Sequence, residues 1–143
     1  HVGIVLQIAG DGRSVDMKWI SEDLDVHHGG VVEVGGYIYG SNYTSIRSGN
    51  WLCLDWETGE VKYDEKWHNK GAIIYADNRL YVYVEKEGYV GLVVPKPSGF
   101  EIKGSFQVTE GTGPHWAHPV IFDKMLFVRH GEVLLVYDIE AGS

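Results

Sequence analysis

The chain of 143 residues has the size of one domain, and its 44% hydrophobic residues can form a core, which excludes an intrinsically disordered protein. A formal net charge of −8, with no cluster of Lys and Arg, argues against binding to nucleic acid, because phosphate contacts require basic side chains. No apolar run approaches the roughly 20 residues of a transmembrane helix, so no membrane-spanning segment is predicted.

The beginning of the chain predicts a pair of antiparallel strands. Val2 to Ile8 and Ser14 to Ile20 are strand-like runs, separated by a Gly-Asp-Gly turn. The same pattern of strand, turn and strand occurs again at residues 51–67, and both copies end near a tryptophan, Trp19 or Trp67. The first 20 residues are therefore interpreted as the outer half of a four-stranded unit.

A sequence motif occurs three times, at residues 31–39, 73–81 and 119–127. It consists of an apolar run, a two-residue turn and a strand with Tyr or Phe. Its equivalent positions Ile38, Leu80 and Leu126 are separated by 42 and 46 residues. Repeats of about 40 to 50 residues built from short strands are typical of β-propeller blades. The repeat therefore predicts an all-β fold, a β-propeller segment made of four-stranded antiparallel blades.

The spacing of the repeats predicts a single, partial β-propeller domain over residues 1–143. Residues 1–20 would form the outer half of a blade, residues 27–67 and 70–108 two full blades, and residues 117–143 a partial blade, giving 13 strands in total. Closed propellers have about four to eight blades, so we expect this segment to be the C-terminal portion of a larger ring. Its uncovered blade faces and strand edges are expected to associate with the remaining half of the propeller or with another copy of the chain.

Asp and Gly occur four positions apart after two of the predicted third strands, as Asp55 with Gly59 and Asp138 with Gly142. An Asp side chain accepts hydrogen bonds from backbone amides two residues further on, and Gly adopts the positive φ that closes such a turn. These residues, and Asp11 in the first turn, are interpreted as turn formers rather than as catalytic acids.

The tryptophans are interpreted mainly as packing residues. Buried packing is the commoner role of such side chains, and we expect it between blades rather than in a platform for sugars. This prediction covers Trp19, Trp51, Trp56 and Trp67. Trp116 precedes an inner strand, where it could instead stack on a flat ligand.

The segment from Cys53 to Tyr63, with its Asp, Thr-Gly-Glu and final aromatic residue, resembles the PQQ-type repeat of quinoprotein-like β-propellers of bacteria. Residues 77–81 resemble the hairpin of such repeats, and residues 127–139 resemble the C-terminal end of these proteins. The resemblance covers essentially the whole chain. It implies a periplasmic or secreted location, because the members are mostly exported, and it implies no particular reaction.

Loops that lead into the inner strands carry the candidate ligand-binding residues. In a propeller these loops converge at one mouth of the central channel, so their side chains should face a shared funnel. The aligned positions are His27, His28, Lys70, His115, Trp116 and His118. Lys70 could orient a carboxylate there, or form an ion pair with an acidic residue of the chain.

Four of these residues, His27, His28, His115 and His118, could coordinate a transition metal, because imidazole suits Zn, Cu, Fe and Ni. The alternatives are hydrogen bonds to backbone groups of the funnel and contact with an organic ligand. Quinoprotein dehydrogenases usually hold PQQ with Ca²⁺ on acidic residues and often beside a disulfide, whereas this chain has one Cys and no acidic cluster near the funnel positions. We therefore expect no PQQ on this chain alone, while PQQ or a transition metal stays open for the intact protein.

Two functions are consistent with these patterns. The first is a PQQ-like β-propeller that acts as a ligand-binding or protein-interaction scaffold without a reaction. The second is a quinoprotein-like or metal-dependent enzyme whose funnel site is completed by a missing N-terminal half. The sequence assigns no catalytic residue and does not decide whether the protein is an enzyme.

Overall fold

The computed structural model describes residues 2–140, which form 13 β-strands and the loops between them, with no helix in that range. No described residue belongs to a helix that is long and apolar enough to cross a membrane. The strands are β1 (Gly3–Ile8), β2 (Val15–Ser21), β3 (Val31–Val34), β4 (Tyr37–Ser41), β5 (Trp51–Asp55), β6 (Val61–Glu65), β7 (Gly71–Ala76), β8 (Arg79–Val84), β9 (Tyr89–Val94), β10 (Glu101–Gln107), β11 (Val120–Phe122), β12 (Met125–His130) and β13 (Val133–Asp138).

The strands form four antiparallel sheets, and within each sheet the order of the strands follows the order of the chain. We call them blades 1 to 4: β1–β2, β3–β6, β7–β10 and β11–β13. Blades 2 and 3 have four strands each, blade 1 has two and blade 4 has three. The prediction of an all-β fold with two full and two partial blades is confirmed.

The three copies of the repeated sequence motif all fold into the same tight hairpin. Their two-residue turns are Gly35-Gly36, Asp77-Asn78 and Asp123-Lys124, and all six residues have positive φ, between 48° and 85°. Positive φ at both central residues defines the type I′ turn, whose twist matches that of the strands it joins. The similar local chemistry thus gives each of blades 2, 3 and 4 the same first hairpin.

The turn after β5 is organised by Asp55, as the sequence predicts. Oδ1 of Asp55 accepts hydrogen bonds from the backbone amides of Glu57, at 2.9 Å, and Thr58, at 3.0 Å. These bonds hold the pKa of the Asp55 carboxyl below its usual value. Oδ1 of Asp138 likewise accepts a hydrogen bond from the backbone amide of Glu140, at 2.8 Å. Gly142, the predicted partner of Asp138 in this turn, lies outside the described residues.

Tryptophans at the ends of two blades pack on glycines of the next blade. Trp19 of blade 1 donates from Nε1 to the carbonyl oxygen of Trp56, at 2.8 Å, and its ring covers Gly59 so closely that an added Cβ would lie 2.8 Å from Cδ2. Trp67, after β6, covers Gly91 of blade 3 in the same manner. A Cβ added to Gly91 would lie 2.6 Å from Cη2 of Trp67. The predicted packing of these tryptophans between blades is confirmed.

The hydrophobic core is divided into layers between successive blades. Val5 of blade 1 packs with Leu52 and Leu54 of blade 2. The next layer includes Trp51, whose ring stacks on Phe100 with 5.7 Å between centroids. The third layer joins blades 3 and 4 through further apolar side chains, among them Leu126. Each blade is therefore held mainly by the faces of its neighbours.

Candidate functional site

A cavity of about 550 Å³ opens among loops of blades 2, 3 and 4. The loops lead into β3 and β11 and follow β4 and β8, so they gather at one end of the blades. We call this cavity the loop pocket. It is lined by His27, His28, Tyr43, Ile46, Glu85, Lys86, Pro114 and Trp116. Three of the six residues proposed from the sequence thus line one pocket, namely His27, His28 and Trp116.

Two imidazoles and one carboxylate form a cluster in the wall of the loop pocket. One ligand atom from each of His27, His28 and Glu85 lies within 4.8 Å of the others. Nδ1 of His27 lies 3.8 Å from Oε2 of Glu85, and the two imidazole centroids are 3.7 Å apart. Partial burial, followed by the charge of His27, lowers the pKa of His28, which favours the neutral form of this imidazole.

Lys70 lies beneath this cluster rather than in the loop pocket. Its Nζ atom is 2.7 Å from Oε1 of Glu85, and it donates to the carbonyl oxygen of Ser45 at 3.2 Å. The ammonium also faces the ring of Tyr43, 4.8 Å from the centroid. Of the two roles considered for Lys70, the structure shows the ion pair within the chain.

His115 is buried away from the loop pocket. Its Nδ1 atom lies 2.5 Å from the hydroxyl oxygen of Tyr83, and its ring stacks on His130 with centroids 3.7 Å apart. Burial, followed by the charge of His130, lowers the pKa of His115. The described side-chain contacts of His115 are those of a packing residue between Tyr83 of blade 3 and His130 of blade 4.

His118 connects two loops without joining the cluster. Its Nε2 atom donates to the carbonyl oxygen of His28, at 2.7 Å. This hydrogen bond joins the segment before β11 to the segment before β3, although the two residues are 90 positions apart. Of the four histidines considered as ligands, His27 and His28 therefore lie together, His118 bonds the backbone next to them and His115 lies elsewhere.

Glu85 is the residue that the sequence reasoning missed. The signal for it was available in the hairpin around Asp77-Asn78, where β7 pairs with β8 and Gly71 lies opposite Val84. Extending this register by one residue places Lys70 opposite Glu85. Glu85 directly follows an apolar strand, and Lys70 directly precedes the inner strand opposite it. This pattern predicts the ion pair.

The donor set of the loop pocket does not fit a Ca²⁺–quinone site. Ca²⁺ takes about six to eight oxygen ligands, mostly from carboxylates and carbonyls. Glu85 supplies the one carboxylate among the described lining residues, and one of its oxygens is engaged by Lys70. The two neighbouring imidazoles are ligands for softer metals.

The outer face of blade 1 is apolar and exposed. Three directly opposed pairs, Ile4–Ile20, Leu6–Met17 and Ile8–Val15, project from this face, and their side chains are 51% to 63% exposed. The opposite face carries Val5 and Trp19, which pack on blade 2. We call the exposed surface of these six residues the first end face.

Blade 4 ends the row of blades with a similar surface. Val120, Phe122, Leu134 and Val136 are 51% to 72% exposed, and we call their surface the second end face. Alternate residues of the same blade, such as Leu126 and Val128, are fully buried against blade 3. The described blades thus form a row with an exposed apolar face at each end.

No family model matches the sequence, and no curated protein matches it. The fold is similar to the crystal structure of BamB from Moraxella catarrhalis, with a TM-score of 0.57 and 15% sequence identity, over 96% of this chain and 52% of that chain. The present chain therefore spans about half the length of that structure. At this identity the similarity shows the fold alone. The chain is a β-propeller segment with two four-stranded blades between two partial ones.

Proposed function

We propose that this chain is a protein-interaction scaffold of the PQQ-like β-propeller kind, in which further blades cover the two end faces. The observation that carries this proposal is the first end face, where six apolar side chains in three opposed pairs are more than half exposed. The resemblance to exported PQQ-like repeat proteins supports a location outside the cytoplasm as part of the same proposal.

The exposure of these six side chains has a large energetic consequence. Full burial of a single Val, Leu, Ile or Met side chain contributes about 1.5 to 3 kcal/mol relative to the exposed side chain. Contiguous apolar patches on soluble proteins commonly mark surfaces that bind other proteins. Covering the first end face would therefore be favourable by several times the thermal energy.

A further blade is the partner that fits this surface. The residues of the first end face alternate along β1, and their partners on β2 lie on the same face of the sheet because a β-bulge shifts the register between Val5 and Leu6. The interfaces between blades 1 and 2 and between blades 3 and 4 show how such faces pack in this fold. A sheet with an apolar face would continue the same arrangement beyond blade 1 or blade 4.

When the 143 residues are present alone, we expect a second copy to supply this blade. The second end face of one copy would pack on the first end face of another, and such head-to-tail contacts close into a ring or continue as a chain. Copies of this chain would then provide the blades that the end faces require.

The test is the mass of the 143-residue chain in solution, measured by light scattering during size-exclusion chromatography over a range of concentrations. We expect dimers or larger species that increase with concentration. Replacing the opposed pair at the centre of the face, as Leu6→Glu with Met17→Glu, should shift the chain toward the monomer, because charges would have to be buried.

Ile46→Glu is the matched control, since Ile46 is 74% exposed but lies in a loop outside both end faces. This variant should associate as the wild type does. A monomer at every concentration, or a double variant that associates like the wild type, would contradict the proposed role of the end faces. Circular dichroism of each variant would establish that the strands are retained.

A further inference from the structure

We propose that His27, His28 and Glu85 form a binding site for one divalent transition-metal ion in the wall of the loop pocket. This site is separate from the end faces, so it does not depend on the scaffold function proposed above. Two imidazole nitrogens and a carboxylate oxygen are a donor set that zinc uses in proteins, with the remaining position open to water or a ligand.

The arrangement of these ligands is close to what a metal requires. Their donor atoms already lie within 4.8 Å of one another, and metal–ligand bonds of about 2.0 to 2.2 Å place two ligands of one ion roughly 3 to 4 Å apart. His27 and His28 are exposed, so small rotations of the imidazoles can direct their nitrogens toward a common point. Glu85 is buried and supplies a fixed third ligand.

Glu85 is held in position by contacts on several sides. The backbone amide of Glu85 donates a hydrogen bond to the carbonyl oxygen of Lys70, at 3.0 Å. The carbonyl oxygen of Glu85 accepts a hydrogen bond from the backbone amide of His115, also at 3.0 Å. Its Oε1 atom is bound by the ammonium of Lys70, which leaves Oε2 directed toward His27. Such support of a ligating carboxylate by a hydrogen-bond donor is a common feature of metal sites.

Lys70 also limits the affinity. Its positive charge neutralises Glu85 and repels a cation at the same place, so we expect a micromolar rather than a nanomolar zinc site. The two imidazoles supply most of the attraction for the metal ion, because coordination by neutral nitrogen atoms does not require a net negative charge at the site.

The other histidine pair of the fold is less suited to a metal. His115 and His130 stack at 3.7 Å, but Nδ1 of His115 lies against the hydroxyl of Tyr83. Both ring nitrogens of His130 lie within 2.8 Å of backbone carbonyl oxygens, those of Glu110 and Gly113. A metal at this pair would have to break these buried hydrogen bonds.

Titration of the 143-residue chain with zinc chloride by isothermal calorimetry tests the proposal. We expect one zinc ion per chain with micromolar affinity. His27→Ala and His28→Ala should each weaken binding by about 100-fold or more, at or above the upper end of the roughly 10- to 100-fold loss for a residue that only supports a ligand. Because both side chains are exposed, these variants should keep the fold.

His68→Ala provides the matched control, because His68 is an exposed histidine outside the cluster. Its zinc affinity should equal that of the wild type. Absence of zinc binding to the wild type would overturn the proposal. The same conclusion would follow if His27→Ala and His28→Ala bound zinc as the wild type does, or if His68→Ala lost as much affinity as they do. Association through the end faces is measured separately, so either proposal can fail without the other.

Discussion

Nζ of Lys70 lies 2.7 Å from Oε1 of Glu85, and both side chains are almost completely buried. The pair belongs to blade 3, yet it also contacts blade 2, since Lys70 donates to Ser45 and Glu85 faces His27. The ion pair therefore contributes at once to the cohesion of the two full blades and to the position of the carboxylate in the loop pocket.

Lys70→Met is expected to destabilise the fold by about 3 to 5 kcal/mol, because it leaves the charge of Glu85 buried without a partner. The combined change Lys70→Met with Glu85→Gln should cost less than the sum of the two single changes, since no unpaired charge then remains. Urea unfolding followed by tryptophan fluorescence measures these differences. A loss below about 1 kcal/mol for Lys70→Met would contradict the burial of the pair.

Gly59→Ala should destabilise the fold more than Gly35→Ala does. Both glycines have positive φ, 75° and 61°, so both substitutions carry a backbone cost of about 1 to 2 kcal/mol. Only Gly59 is covered by Trp19, and overpacking there should add about 1 to 3 kcal/mol, whereas nothing lies within 4 Å of a Cβ at Gly35. Equal losses in thermal or urea unfolding would mean that Trp19 does not pack on Gly59.

Cys53 should be unreactive in the folded protein. Its side chain is 0% exposed, and burial raises the pKa of its thiol to about 11, so neither access nor thiolate is available near neutral pH. We expect a disulfide reagent to label one thiol per chain rapidly after unfolding in guanidinium and only slowly before it. Labelling of the native chain at the rate of the unfolded chain would show that β5 is accessible.

Glu101 should contribute a pH-dependent part of the stability. Hydrogen bonds from Lys103, and then from Lys96, lower the pKa of Glu101 to about 2 from the usual 4.5. A carboxyl whose pKa is lower in the folded state contributes stability above pH 4.5, and this contribution is lost as the pH falls from about 4.5 toward 2. Glu101→Gln should therefore reduce stability at neutral pH and make little difference near pH 2. The change is measured by urea unfolding at both pH values, with Glu22→Gln as the exposed control.

The blades could be predicted because their determinants are local. The turns at residues 35–36, 77–78 and 123–124 and the apolar strands beside them recur at nearly constant spacing, and each hairpin forms from residues close in sequence. The roles of Asp55 and Asp138 follow from the same short-range chemistry. These elements needed no knowledge of how the blades pack together.

The details of the candidate site depend on contacts between blades, and the sequence did not reveal them. The alignment of the repeats predicted that His27, His28 and Trp116 lie close together, and all three line the loop pocket. It predicted the same location for His115, although His115 packs on Tyr83 and His130. Likewise, the nearly continuous apolar run in β1 could not show that Leu6 is exposed while Val5 is buried. Which face is covered depends on the neighbouring blade, and that information is not contained in the strand itself.

The order of strands within each blade also has a consequence for folding. Because consecutive strands within a blade pair with each other, each hairpin closes a short loop, and the entropic cost of this closure is small. Blades 2 and 3 are covered on both faces, whereas blades 1 and 4 are each covered on one. Amide hydrogen exchange should therefore be slowest in β4, β5, β8 and β9, and local opening should begin at the two ends of the row.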